Sequence, residues 1–178
     1  MSLSTRAIAG IAGVVVVGAA SLGTGIYWAN DAGKPRENVA TMVVGTSTTT
    51  AAPFCYNDGK PIETAALNAC AKKAQTDSEN KKLPRLDVRS SDRIGVGVPK
   101  DLAEKGWYAI TDGGGSSSSG GGRATIISNA QGVTYSGSKP ASGLLASGDL
   151  TSVTVVSQDS KTDDIYAVWF FDLNNKTS

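Results

Sequence analysis

The run IYAVWFFDL, Ile165 to Leu173, constrains this chain more than any other segment. Read as a strand, it puts Ile165, Ala167, Trp169, Phe171 and Leu173 on one face and Tyr166, Val168 and Phe170 on the other. Both faces stay apolar until Asp172, which predicts a central or well-covered strand rather than one with a wet side. Such a strand needs partners, and the rest of the chain offers short alternating segments: Val39 to Gly45, Thr46 to Tyr56, Leu83 to Val88, Arg93 to Val98, Trp107 to Thr111, Ala124 to Ser128, Val133 to Tyr135 and Ser152 to Gln158. Asn57-Asp58-Gly59 and Ser90-Ser91-Asp92 punctuate them as turns.

Helical periodicity is scarce. Thr64 to Lys73 carries Ala, Leu and Cys at helical spacing with Thr64 as its cap, one or two turns in length, and residues 74–82 read as a polar loop. Pro99 to Gly106 reads as a second helical turn, proline opening it and glycine closing it. The expected fold class is all-β: an antiparallel, immunoglobulin-like β-sandwich with one or two short helical turns.

The sandwich is preceded by a different kind of segment. Ala7 to Ala29 is an apolar run of 23 residues behind a single Arg6, long enough to cross a bilayer of about 30 Å as a helix. One reading is an uncleaved anchor whose Tyr27 and Trp28 sit at the outer interface. The other is a secretory signal cleaved near Gly18-Ala19-Ala20. Residues 1–30 are therefore a membrane anchor or signal segment, 31–37 a tether, and 38–178 an extracytoplasmic domain. The expected location is the cell membrane, single-pass, with the domain outside, or secretion after cleavage. Small residues four apart, such as Ala9/Gly13, would let a partner helix approach, although Gly and Ala are also common in export segments.

Export decides how the two cysteines, Cys55 and Cys70, are read. Fourteen residues separate them, which is no redox C-x-x-C spacing. The chain has no histidine, so no soft ligand set completes a zinc tetrahedron. In an oxidising compartment they form a structural disulfide.

The same lack of histidine excludes His-dependent triads and bases. With 17 basic and 16 acidic residues there is no footprint for nucleic acid. Ser136 to Lys139 and Ser78 to Lys81 both match S-x-x-K, but both fall in expected loops without companion motifs. Asp159, Asp163 and Asp164 lack EF-hand spacing and read as a solvated turn. Lys72, Lys73, Lys81 and Lys82 are diluted by Asp77 and Glu79. Residues 112–123 hold six Gly and four Ser and read as a flexible loop. No catalytic residue, metal site or cofactor is expected. The candidate binding surface comprises Tyr135, Trp107 and Tyr108, although aromatics at strand positions more commonly build core.

VATMVVGTSTTT, FCYNDGKPI, LNACAKK, RIGVGVPKDLAEKGWY and AVWFFDL together resemble a family of small exported actinobacterial proteins, many of them lipoproteins, whose domain has no known function. The resemblance spans about Val39 to Leu173 and implies an extracytoplasmic β-sandwich on a membrane tether. Family members carry a lipid-accepting cysteine shortly before the first strand, where this chain has Asn30-Asp31-Ala32-Gly33, which supports a retained anchor. The expected function is a non-enzymatic, membrane-anchored accessory or binding module for an envelope protein or membrane complex. The alternative is a wall-associated or secreted module that binds a small ligand or glycan through an aromatic groove.

Overall fold

The structure is a computed structural model that describes residues 37–113 and 125–176. The anchor or signal segment, most of the tether and residues 114–124 of the Gly/Ser run lie outside the described residues. Among the described residues, no helix is long and apolar enough to cross a membrane.

Among the described residues, ten strands form two mostly antiparallel sheets. The first has the order β2-β1-β5-β8, with β1 at Ala40–Val44, β2 at Ser47–Ala51, β5 at Arg93–Gly97 and β8 at Lys139–Pro140. The second runs β3-β10-β9-β6-β7, with β3 at Cys55–Tyr56, β6 at Trp107–Thr111, β7 at Thr125–Ala130, β9 at Leu150–Gln158 and β10 at Ile165–Lys176. β4, Arg85–Arg89, joins the same edge of β10 as β3 does, and it does so in parallel. That pair departs from the purely antiparallel expectation.

The expectation of a strand covered on both faces holds. A bulge between Ile165 and Ala167 exchanges the first two residues, however, Ile165 packing with Val168 and Phe170 and Tyr166 against the main core. β10 has β9 on one side and β3 and β4 on the other. Its inward residues Ala167, Trp169, Phe171 and Leu173 are buried in one core with Met42, Val44, Ile94 and Val96 of the first sheet. Residues of both sheets thus share one apolar interior, the layered arrangement of a sandwich. On the opposite face of β10, Val168 and Phe170 join Cys55, Val156, Phe54 and Leu67 in a second, smaller cluster. Two clusters on opposite faces account for a strand with no polar side.

Three expectations are corrected. The segment Thr46 to Tyr56 is two strands in different sheets. β2 pairs with β1 and β3 with β10, and the chain crosses between layers around Pro53, which cannot donate to a ladder. The helical turns at Thr64 are instead a 16-residue helix, α1, spanning Thr64–Glu79. Its N-cap is Glu63, and no side chain caps it. Residues 74–79, expected in a loop, continue the helix because no glycine or proline interrupts them and i,i+4 contacts support them. Lys73 meets Asp77 at 2.9 Å, and Gln75 Nε2 donates to Glu79 at 3.4 Å. Finally, Val133 to Tyr135 makes only one bridge, Gly97 to Tyr135.

The second helix, α2, is Lys100–Lys105, with Pro99 as the residue before it and Gly106 after it. Gly106 has φ 123°, and a Cβ there would lie 2.7 Å from Gln158 O, so the sharp entry into β6 needs glycine.

Asp112 and Gly113 also depart from the loop reading. Ser152 N donates to Asp112 Oδ1 at 2.8 Å, and Thr125 Oγ1 donates to Gly113 O at 2.6 Å. Both residues belong to the packed domain.

Candidate functional site

The disulfide Cys55–Cys70 is present, with Cα atoms 6.0 Å apart, and it fastens α1 to the outer face of the second sheet. Near the C-terminal end of the helix, at Ser78, a polar latch holds it. Ser78 Oγ donates to the Asp172 carboxylate at 2.9–3.0 Å. Arg85 Nη2 reaches the same carboxylate at 2.5 Å and also donates to Ser78 O at 3.1 Å. The Asp172 side chain is 0% exposed and that of Arg85 is 20% exposed. A buried charge survives only when paired and hydrogen-bonded, and this carboxylate is both.

Between these two fastenings the helix does not close on the sheet. A cleft of about 240 Å³ remains, bounded by Ala71, Ala74, Leu83, Val153, Phe170 and Asp172 among others. Phe170 packs edge-on against Phe54 with ring centroids 5.5 Å apart, and Lys73 Nζ lies 4.6 Å from the centre of the Phe54 ring.

α1 covers only the β3–β10 side of this outer face. The pairing registers set Ile126, Ile110, Thr154 and Phe170 in one row across β7, β6, β9 and β10. Ile110, Thr154 and Phe170 are half-buried, and Ile126 is 58% exposed. Among the described residues nothing covers this strip, which is apolar except for Thr154 and runs directly into the cleft.

The three aromatics singled out in the sequence do not share a surface. Trp107 is 2% exposed and lies inside the sandwich, its Nε1 donating to Val133 O at 2.6 Å, which removes it from any binding surface. Tyr108 is on the outer face of the second sheet, opposite Val156, and burial raises the pKa of its phenol. Tyr135 is 43% exposed and lies over Gly95 of the first sheet, where a Cβ would strike its ring. The two tyrosines are thus carried by different sheets, with Trp107 in the core.

The remaining motifs are placed as follows. Ser78 of the first S-x-x-K lies on α1 rather than in a loop, with its hydroxyl engaged by Asp172. Ser136 accepts from Val96 N at 2.8 Å and donates to Gly137 O. Lys161 N donates to Asp159 Oδ1 and Thr162 Oγ1 to Asp164, which orders the β9–β10 turn. Among the described residues, no three His, Cys, Asp or Glu side chains gather closely enough to hold a metal ion.

Sequence reasoning missed the latch and the cleft. Asp172 was visible only as the end of an apolar pattern, and no local signal ties it to Ser78 or Arg85. No family model, curated protein or solved structure matches the chain.

Proposed function

We propose that this chain is a non-enzymatic, membrane-anchored extracytoplasmic module, immunoglobulin-like in architecture, that docks an envelope protein or membrane complex. The supporting observation is the row Ile126–Ile110–Thr154–Phe170, a mostly apolar strip on a sheet face that the described residues leave partly uncovered. Apolar surface of this kind, continuous with a cleft, is characteristic of interaction sites. The anchor reading of Ala7 to Ala29 and the resemblance to exported actinobacterial proteins support the location.

The test is mass spectrometry of the full chain from native membranes in mild detergent, alongside Ile126→Lys and a deletion of residues 1–37. A stoichiometric membrane partner that both changes remove is the expected result. A chain that emerges alone overturns the reading.

A second reading, glycan binding, is favoured by Tyr135. Its ring lies over Gly95, beside Thr41 and Val43 of β1 and the exposed Thr48 and Thr50 of β2. A half-exposed ring beside threonine hydroxyls and without a charge of its own suits a neutral sugar. Retention on envelope polysaccharide, lost in Tyr135→Ala, would support it over protein docking.

A further inference from the structure

We propose that β2 is a pairing edge for a second copy of this chain, the two β2 strands running antiparallel about a two-fold axis at Thr49. The inference uses the first sheet alone and is independent of the docking strip on the second.

Among the free sheet edges of the described residues, only β2 is unprotected. β2 and β8 end the first sheet, while β7 ends one side of the second and β3 and β4 share the other. β3 and β8 have two residues each, and β8 includes Pro140. β4 alternates Arg85, Asp87 and Arg89, and charges of this kind blunt a strand edge. The ladder between β7 and β6 shifts register between Ala109 and Ile110, an irregularity with the same effect. β2 is Ser-Thr-Thr-Thr-Ala, five residues without charge or proline, and it pairs with β1 without a break in register. Threonine also suits the extended backbone.

The backbone of β2 fixes how a partner strand must lie. Gly45 N donates to Arg93 O on β5, so Thr41, Val43 and Gly45 aim their backbone groups at β5. Ala40, Met42 and Val44 therefore aim theirs at β2, where Ala51, Thr49 and Ser47 meet them. The N–H and C=O of Thr48 and Thr50 point off the edge, and nothing among the described residues pairs with them. A second β2 matches them when it lies antiparallel with Thr49 opposite Thr49. Thr48 then faces Thr50 of the second copy, and Thr50 faces its Thr48, each pair exchanging both hydrogen bonds.

The side chains agree with this register. Thr48 and Thr50 are exposed on the outer face, and Thr49 is half-buried on the inner one. Cross-strand threonine pairs are favourable, and β2 has no charge to meet its own copy across the axis. A foreign strand is selected through pockets for alternate side chains. The identical strand needs none, because it brings threonine opposite threonine through the centre of the edge. The pairing joins two four-stranded sheets into one continuous sheet. A single strand edge buries less than a standard interface, so the dimer is weak and reversible.

The experiment is sedimentation equilibrium of the full chain in density-matched mild detergent, over about 10 µM to 1 mM. A monomer–dimer equilibrium is expected. Thr48→Lys with Thr50→Lys sets like charges face to face and should weaken the dimer at least about ten-fold. Thr48→Lys with Thr50→Asp sets opposite charges face to face in the same register, and should return the dissociation constant to within about three-fold of the parent chain. Should either double variant unfold by circular dichroism, Thr50→Pro decides, because it removes an outward N–H that the β1 ladder does not use and should abolish the dimer. A chain monomeric throughout, a dimer that tolerates the two lysines or the proline, or one that the lysine–aspartate combination fails to restore would each overturn the proposal.

Discussion

Arg85 and Asp172, 87 residues apart in the chain, form an ion pair that fastens β4, β10 and α1 together. The carboxylate is completely buried and the guanidinium one-fifth exposed, so the two partners are not equally dispensable. Breaking a buried pair costs 3–5 kcal/mol because it strands a charge. Asp172→Ala strands Arg85, which retains some water, and we expect a loss near the lower end, about 3 kcal/mol. Arg85→Met strands the wholly buried carboxylate and should cost as much or more. Urea unfolding of the two variants measures both. A loss below about 1 kcal/mol for Asp172→Ala would mean that the freed guanidinium simply swings into solvent.

The disulfide governs the first half of α1, which it holds at Cys70. Closing a loop across 15 residues of sequence stabilises the fold by about 3 kcal/mol in the chain-entropy model. Reduction should add about 2 Da to the intact mass and lower the melting temperature, and Cys70→Ser should lose a comparable stability. The opening should also be local. Apart from Ala74, the helix buries little, so amide exchange should accelerate first between Thr64 and Glu79. Uniform acceleration across both sheets would show that α1 and the sandwich unfold as one unit.

Where alternation along the chain sufficed, the fold was legible. β1, β5, β6 and β9 lie where apolar residues alternate with polar or small ones, and the unbroken run around Trp169 announced β10 as a strand covered on both faces. What escaped depends on residues far apart in sequence. The second half of α1 lacks an apolar stripe and is held by Ser78 meeting a carboxylate 94 residues away. The cleft joins residues 71–79 to 152–154 and 170–172, and the apolar row joins single residues from four strands through their register. Gly113 was grouped with the Gly/Ser run by composition. Its Cα instead packs so closely on the backbone of Leu144 to Ala146 that a Cβ would collide there. Composition identifies a glycine but not what lies against it.

Tyr135 and Gly95 illustrate the same close approach on the other sheet. β5 presents Gly95 outward, and the Tyr135 hydroxyl end occupies the space a side chain would take. Glycine within a strand commonly marks such a contact. Gly95→Ala should therefore destabilise by about 1–3 kcal/mol through overpacking. In a Tyr135→Ala background the same substitution should be nearly neutral, giving a coupling of at least about 1 kcal/mol in a double-mutant cycle. Simple additivity would show that the ring moves aside without loss.

The acid limb of stability should depend on the contact between Asp87 and Asn174. Asn174 Nδ2 donates to Asp87 Oδ1 at 2.8 Å across the parallel β4–β10 pair, and this bond is the main reason the carboxyl titrates below its ordinary 3.8. Lys176, 3.4 Å away, adds to the shift. A folded pKa below the unfolded one means that the unfolded chain binds the proton more readily. The contact thus stabilises the fold at pH values above 3.8, and its contribution fades as the pH drops through the lowered folded value. Carbon-detected NMR titration should place Asp87 below 3.8 in the native protein and return it toward 3.8 in Asn174→Ala. Because Asp87 lies at the solvent, added salt should weaken the Lys176 part and leave the hydrogen bond from Asn174. An Asp87 titration that is the same in both proteins would assign the shift to the neighbouring cations, and the acid unfolding midpoint would then follow ionic strength instead of residue 174.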